Sequence, residues 1–150
     1  METIDREKAA RVWQRVKGEE ENREKGLLAL IAQEWTDAAT YLQLSRRVTG
    51  KDSAVLRKMY EQEQSHTACL KGIYTLITGT HPVVRAMPVS HMDTESMLRR
   101  CYGREMQCLA QYEARTGDPE YGQVFVRLAE QEREHCRLLL ELLGRVKHRG

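Results

Sequence analysis

The chain has 150 residues, of which 41% are hydrophobic and 31% are charged, and it contains three prolines. This length fits one domain with a substantial core, and the composition favours long amphipathic helices over a β-sandwich. The net charge is +2 with acids and bases interleaved along the chain, which argues against a nucleic-acid interface and against a membrane-binding surface.

The sequence shows no sign of export or membrane insertion. No apolar run approaches the roughly 20 residues that span a bilayer, and the first residues have neither the basic start nor the apolar stretch of a secretory signal. The four cysteines, Cys69, Cys101, Cys108 and Cys136, form no Cys-x-x-Cys pair. We therefore expect a cytoplasmic protein with reduced thiols and without a zinc knuckle or rubredoxin-type iron site.

The first predicted element is a short helix over residues 2–17, with Ile4, Val12, Trp13 and Val16 near one side. Gly18 is expected to end it. Residues 1–18 would thus be an N-terminal helical extension, and residues 19–150 the main domain. Two interpretations stay open, since the extension either packs across the bundle or a neighbouring subunit, or docks a larger partner.

Four longer helices are predicted next, as two antiparallel pairs joined by short turns. They cover residues 19–48, about 52–78, about 93–115 and about 117–146. Thr49 and Gly50 end the first, and Asp52 or Ser53 is expected to cap the second. Residues 78–92 contain two prolines and no helical period. Roughly fifteen extended residues span up to about 50 Å, so this crossover can make the second and third helices parallel.

The second and fourth predicted helices each contain Glu-Gln-Glu-x-x-His. Its Glu and His are Glu63 and His66 in one copy and Glu132 and His135 in the other, 69 residues further on. A Glu and a His three apart lie on one helix face and reach a common point. The apolar residues of both helices keep a regular three-four alternation only if these four are counted, so they face the hydrophobic interior.

Glu34 and Glu105 occupy core positions in the first and third predicted helices, and each is followed seven residues later by a tyrosine, Tyr41 or Tyr112. Burying an ionised carboxylate without a partner costs several kcal/mol. A counter-charge is therefore expected, and metal ions supply it. One carboxylate from each of two helices, with a carboxylate and a histidine from each of the other two, suits a nearly two-fold site for two metals.

This pattern resembles the ferritin-like di-iron carboxylate superfamily, and most of all a rubrerythrin-type erythrin domain, over about residues 20–146. The resemblance implies an all-α, ferritin-like four-helix bundle of two antiparallel helix pairs joined by a long crossover, here with a short extra N-terminal helix. It also implies six metal ligands: Glu34, Glu63, His66, Glu105, Glu132 and His135. Rubrerythrins carry a second carboxylate one turn beyond the third-helix ligand, where this sequence has Cys108, and they append a rubredoxin domain, which we do not expect here.

Two divalent cations neutralise four carboxylates, and mixed carboxylate and imidazole ligation suits iron or manganese better than soft metals. We expect two iron ions (Fe²⁺/Fe³⁺), with manganese and zinc as alternatives. The expected function is a non-haem di-iron oxidoreductase that reduces hydrogen peroxide or dioxygen, as a homodimer supplied by a separate electron-donor protein. Iron oxidation and storage is one alternative, and a non-catalytic helical docking protein is another.

Four further side chains near the expected centre have two open interpretations. Tyr41 and Tyr112 are candidate catalytic residues, and core packing is the competing explanation. Cys101 and Cys108 lie one turn on either side of Glu105 and are either inert buried thiols or electron donors.

Overall fold

The computed structural model describes residues 5–89 and 91–149 and contains, in that part of the chain, four helices and no strand. They are α1 (Arg6–Ser45), α2 (Gly50–Thr78), α3 (Thr94–Glu113) and α4 (Gly122–Arg149). α1 packs along α2, and α3 packs along α4. The predicted all-α four-helix bundle is confirmed. None of the helices in the described residues is long and apolar enough to cross a membrane.

The hydrophobic core has two layers, one toward each end of the bundle, and every helix contributes to both. The first layer includes Leu27, Leu70, Tyr112 and Phe125, and the second includes Tyr41, Leu56, Leu98 and Leu142. α2 and α3 therefore both run from the second layer to the first, while α1 and α4 run the opposite way. The predicted antiparallel pairs and the parallel arrangement of α2 and α3 are confirmed.

The crossover between α2 and α3 runs along the bundle, as predicted. Val84 packs against the first core layer and Val89 against the second. Between them, the Met87 amide donates a hydrogen bond of 2.9 Å to the Thr36 hydroxyl of α1. These contacts return the chain to the end of the bundle at which α2 began, so α3 can start beside the second layer.

The predicted helix break at Gly18 is wrong, because α1 is continuous from Arg6 to Ser45. The glycines with left-handed backbone are Gly50 and Gly79, and Gly18 is not among them. A glycine inside an exposed helix lowers the stability of the helix by only about 1 kcal/mol relative to alanine. The charged, helix-forming residues on both sides of Gly18 offset this loss, so the helix continues through it. The predicted N-terminal helix is thus the first part of α1. Ile4, counted in its apolar face, lies outside the described residues.

The apolar face of this N-terminal part does not pack across the bundle of its own chain. Val12, Trp13 and Val16 are 44%, 69% and 38% exposed. Contact with a neighbouring subunit or a larger partner remains a prediction.

The helix ends differ from the prediction by several residues. Thr49, rather than Asp52 or Ser53, is the N-cap of α2. Asp52 instead accepts a hydrogen bond of 2.7 Å from the Arg145 guanidinium of α4, so its carboxylate joins two helices. α4 begins at Gly122, five residues later than Gly117. A Cβ at position 122 would lie 2.5 Å from the Thr116 carbonyl oxygen, so glycine fits this helix start.

Candidate metal centre

Six polar side chains from four helices meet between the two core layers. They are the six predicted ligands: Glu34 of α1, Glu63 and His66 of α2, Glu105 of α3, and Glu132 and His135 of α4. His66 is 2% exposed and the other five are completely buried. They point inward because each occupies a position in the apolar row of its helix, as the three-four spacing predicted. Glu61 and Glu130, two residues before the ligand glutamates, are exposed.

The six residues form two overlapping groups of four. The first consists of Glu34, Glu63, His66 and Glu132, and the second of Glu63, Glu105, Glu132 and His135. In each group, one candidate ligand atom from every residue lies within 4.8 Å of the others. Glu63 and Glu132 belong to both groups. Each half of the site thus has one histidine and one carboxylate of its own, with two carboxylates placed to bridge the halves.

The distances within each half fit ligands that share an ion. His66 Nδ1 lies 3.1 Å from Glu34 Oε2 and 3.1 Å from Glu132 Oε1. His135 Nδ1 lies 2.7 Å from Glu63 Oε1 and 3.6 Å from Glu105 Oε2. Ligand atoms about 2.1 Å from one octahedral cation and at right angles to each other lie roughly 3 Å apart. The arrangement therefore has room for a cation in each half.

Many of these buried atoms have no hydrogen-bond partner in the described part of the chain. They are Glu34 Oε1, both carboxylate oxygens of Glu63, Glu105 Oε2, Glu132 Oε2 and His135 Nδ1. An unsatisfied buried charge costs several kcal/mol, so this many in one place demands a further partner. Divalent cations satisfy oxygen and imidazole donors together and neutralise the four carboxylates. The residues present fit a pair of metal ions.

Protons occupy the cluster in the absence of cations. Burial raises the pKa of Glu63 well above 4.5, and the charges of Glu105 and Glu34 raise it further. Burial alone would raise the pKa of Glu34, but its close contacts with Glu63 and His66, together with the charge of His66, outweigh burial and lower that pKa. Burial likewise would lower the pKa of His66, but Glu34 raises it above 6.5. Cation binding must therefore displace protons.

Each histidine is held by a glutamine from the opposite hairpin. His135 Nε2 is 2.7 Å from Gln62 Oε1, and His66 Nε2 makes the equivalent contact with Gln131 Oε1. Because a glutamine carbonyl only accepts hydrogen bonds, each Nε2 carries a proton. In the neutral ring the lone pair that can bind a cation is therefore on Nδ1. These glutamines were not predicted from the sequence to have a role in the site. The available signal was that both motifs carry Gln directly before the ligand Glu.

The two candidate tyrosines also reach the opposite hairpin. Tyr41 is completely buried and donates a hydrogen bond of 2.5 Å to Glu105 Oε1. The hydroxyl of buried Tyr112 has no hydrogen-bond partner in the described residues, and its pKa is raised by burial and by the nearby charge of Glu34. Tyr41 thus contacts a predicted ligand, although that ligand is Glu105 and not the Glu34 of its own helix.

A fifth buried carboxylate at the centre, Asp37, was not predicted from the sequence. It is completely buried one turn beyond Glu34, and its Oδ1 accepts hydrogen bonds from Gln33 at 3.0 Å and Arg104 at 3.3 Å. Burial, with the charges of Glu105 and Glu34, raises its pKa well above 3.8. The internal repeat could have indicated this residue, because Asp37 follows Glu34 by three residues, as Cys108 follows Glu105.

The four cysteines are free, as predicted. Cys101 and Cys108 are buried next to the centre, and burial raises the pKa of both thiols far above the ordinary value. Both are therefore neutral thiols when no cation is bound to them.

Fold and site together define a ferritin-like helical bundle with a buried carboxylate and histidine cluster that could hold a pair of metal ions. A solved structure described as ferritin-like, diiron-carboxylate proteins from Bacillus anthracis str. Ames has a TM-score of 0.69 with this chain, at 22% sequence identity. The match covers 83% of this chain and 96% of that one. The likeness shows a shared fold. No protein-family model matches the sequence, and no curated protein is similar to it.

Proposed function

We propose that this protein is a non-haem di-iron oxidoreductase that reduces hydrogen peroxide or dioxygen with electrons from a separate donor protein. The observation that carries the proposal is the sharing of Glu63 and Glu132 between two histidine-containing halves of one buried cluster. Two carboxylates common to both halves hold two cations close together. The solved structure with the same fold is described as a diiron-carboxylate protein, and the two Glu-x-x-His motifs resemble those of rubrerythrin-type domains.

Two iron ions, held by these six residues, would supply the two electrons that one molecule of oxidant takes up. The protein contributes a fixed set of ligands and a dry environment. The six ligands are at most 2% exposed, so water is excluded from around them and the electrostatic effect of each charge is strengthened. Gln62 and Gln131 fix the orientation of the two imidazoles through Nε2, which keeps both Nδ1 atoms directed at the cluster.

Tyr41 and Tyr112 are the proposed catalytic residues, with proton delivery as their role. Reduction of one peroxide to two waters consumes two electrons and two protons, and the protons must reach a buried site. The Tyr41 hydroxyl already donates to Glu105. Burial raises its pKa well above 10.0, and the charge of Glu105 raises it further, so the phenol stays protonated. It can pass a proton along this hydrogen bond without becoming a phenolate at rest.

Purified protein loaded with Fe²⁺ under anaerobic conditions tests the proposal. With a chemical reductant in place of the donor protein, we expect about two tightly bound iron ions per chain and catalytic consumption of hydrogen peroxide. Glu105→Ala and His135→Ala should lose iron and turnover together. Glu113→Ala is the matched control, since Glu113 lies on α3 two turns beyond Glu105 and is 49% exposed.

Iron-loaded protein with two ions per chain and no turnover of peroxide or dioxygen would refute the proposed activity. Retention of many ferric ions per chain would favour iron oxidation and storage instead. A protein that binds no iron, and whose melting temperature does not respond to chelators, would favour the docking interpretation. The homodimer is part of the same proposal, and light scattering of the iron-loaded protein measures it.

A further inference from the structure

A second group of potential ligands lies directly beside the six-residue centre. Glu34, Asp37 and Cys108 each offer one atom, and these three atoms lie within 4.8 Å of one another. Glu34 and Asp37 are completely buried and Cys108 is 2% exposed. The group shares Glu34 with the proposed two-metal centre, but Asp37 and Cys108 belong to neither of its halves.

Two carboxylate oxygens in this group accept no hydrogen bond from the described residues. Asp37 Oδ2 and Glu34 Oε1 have no hydrogen bond in the described part of the chain, although both residues are completely buried. Gln33 and Arg104 bind only the other oxygen of Asp37. They hold the carboxylate in place and leave Oδ2 unsatisfied, which is an expensive arrangement unless another group binds there.

A groove between α1 and α3 reaches one member of this group, Cys108. It has a volume of about 410 Å³, and its lining includes Gln33, Gln107, Cys108 and Gln111. Cys108 belongs both to the groove and to the ligand group, and Gln33 lines the groove while donating to Asp37. Neutral amides along the way suit a hydrated cation, because their carbonyl oxygens replace water without fixing the cation in place.

The geometry points to a third cation site, formed by Glu34, Asp37 and Cys108 and approached from this groove at Cys108, through which divalent cations reach the two-metal centre. Two carboxylate oxygens and one sulfur suit cations of intermediate softness, such as Fe²⁺, Co²⁺ and Zn²⁺. A coordinated thiol gives up its proton. The added positive charge is therefore partly balanced by the new thiolate, while Arg104 next to Asp37 keeps the site weaker than the main centre.

Cobalt is the probe, because a thiolate bound to Co²⁺ produces a charge-transfer band in the near ultraviolet. Anaerobic titration of the full chain should give three Co²⁺ per chain with this band, the third binding more weakly than the first two. Cys108→Ser should bind two Co²⁺ without the band. Cys136→Ser is the matched control, since Cys136 is a buried free thiol on α4 outside the group, and it should keep three ions and the band.

Asp37→Asn provides a second variant that keeps the thiol. It should weaken the third Co²⁺ by at least about 10-fold, the smallest loss commonly seen when even an outer-shell partner of a metal is removed. Stopped-flow mixing should also show slower filling of the first two sites in Cys108→Ser than in Cys136→Ser. Equal filling rates would overturn the entry role.

The outcomes separate this site from the proposed function. Two Co²⁺ per chain without a thiolate band in the wild-type protein would overturn the third site and leave the two-metal centre intact. A band that persists in Cys108→Ser would also overturn it. Absence of any bound Co²⁺, in protein that remains helical by circular dichroism, would contradict both.

Discussion

Replacing Glu63 by glutamine keeps the shape of a central side chain and removes its charge. Glu63 is completely buried, and neither of its carboxylate oxygens has a hydrogen-bond partner in the described residues. It also belongs to both halves of the centre. We expect Glu63→Gln to stabilise the metal-free protein above about pH 5 and, at the same time, to reduce the stabilisation that metal ions provide.

The sign follows from the direction of the pKa shift. Burial, with the charges of Glu105 and Glu34, raises the pKa of Glu63 above its ordinary value of 4.5. A group with a raised pKa stabilises the fold fully below the unfolded value, and that contribution is lost as the pH rises through the folded value. The loss is about 1.4 kcal/mol per pH unit. Glutamine does not titrate, so the variant gains on the wild type by up to this amount for each pH unit above 4.5.

Metal ions should reverse the ranking. A cation at 100 times its dissociation constant stabilises the folded state by about 2.7 kcal/mol per site. Loss of a shared carboxylate weakens both sites, and each 10-fold loss of affinity removes about 1.4 kcal/mol of that stabilisation per site. The wild type should therefore be the more stable protein with saturating Zn²⁺ or Co²⁺, and the variant the more stable one in chelator.

Urea denaturation from pH 5 to pH 8, with metal and with chelator, measures both effects. Glu61→Gln is the matched control, because it makes the same change two residues earlier on an exposed position of α2. The prediction would be wrong if the stability of Glu63→Gln had the same pH dependence as that of Glu61→Gln, or if metal stabilised the two variants equally.

Three further predictions address other parts of the structure. Gln62→Ala should weaken metal binding about 10- to 100-fold, because His135 loses the acceptor that fixes its orientation. Competition with a chromophoric chelator measures the affinity, and an unaltered affinity would exclude a role of Gln62 in orienting His135. Metal affinity should rise with pH as His66, whose pKa is raised above 6.5, gives up its proton. Calorimetry in buffers of different ionisation enthalpy counts the protons released on metal binding. A count of zero would contradict the pKa shift. Gly18→Ala should stabilise the protein by about 0.5–1 kcal/mol, since no atom lies within 4 Å of the new Cβ. Gly79→Ala should destabilise the protein by about 1–2 kcal/mol, because the φ of Gly79 is 75°. Urea denaturation that gives the opposite order would contradict the helix assignment.

The positions of the six ligand candidates could be predicted because they interrupt a periodic pattern. Along α2, the buried residues Leu56, Met59, Leu70 and Ile73 keep helical spacing only when Glu63 and His66 are included. The same holds in α4. A polar residue inside such a row must face the core, whatever the details of packing.

The supporting residues could not be predicted in this way, since their partners lie on other helices. Gln62 has the spacing of a half-exposed position, and its contact with His135 exists only after the two hairpins pack together. Asp37 has no apolar alternation that distinguishes it from a surface carboxylate. Its burial depends on Gln33 and on Arg104 of α3, and a contact between α1 and α3 is not encoded in local spacing.

The error at Gly18 has a different physical origin. Glycine ends helices when the chain needs left-handed backbone at that point, as it does at Gly79. At Gly18 nothing requires a turn, and the cost of glycine in a helix is small enough for the flanking residues to continue it. The sequence identifies a permissive position, but the surroundings decide whether a break occurs.

The central claim is that the four carboxylates and two histidines between the core layers hold a pair of metal ions. Anomalous diffraction at the iron edge, from crystals of the iron-loaded protein, tests it most directly. The structure predicts two strong peaks roughly 3.5–4 Å apart, one next to Nδ1 of His66 and one next to Nδ1 of His135, with Glu63 and Glu132 between them, and a weaker third peak beside Cys108 at the proposed third site. A single surface peak, or no peak inside the bundle of a protein saturated with iron, would contradict the claim.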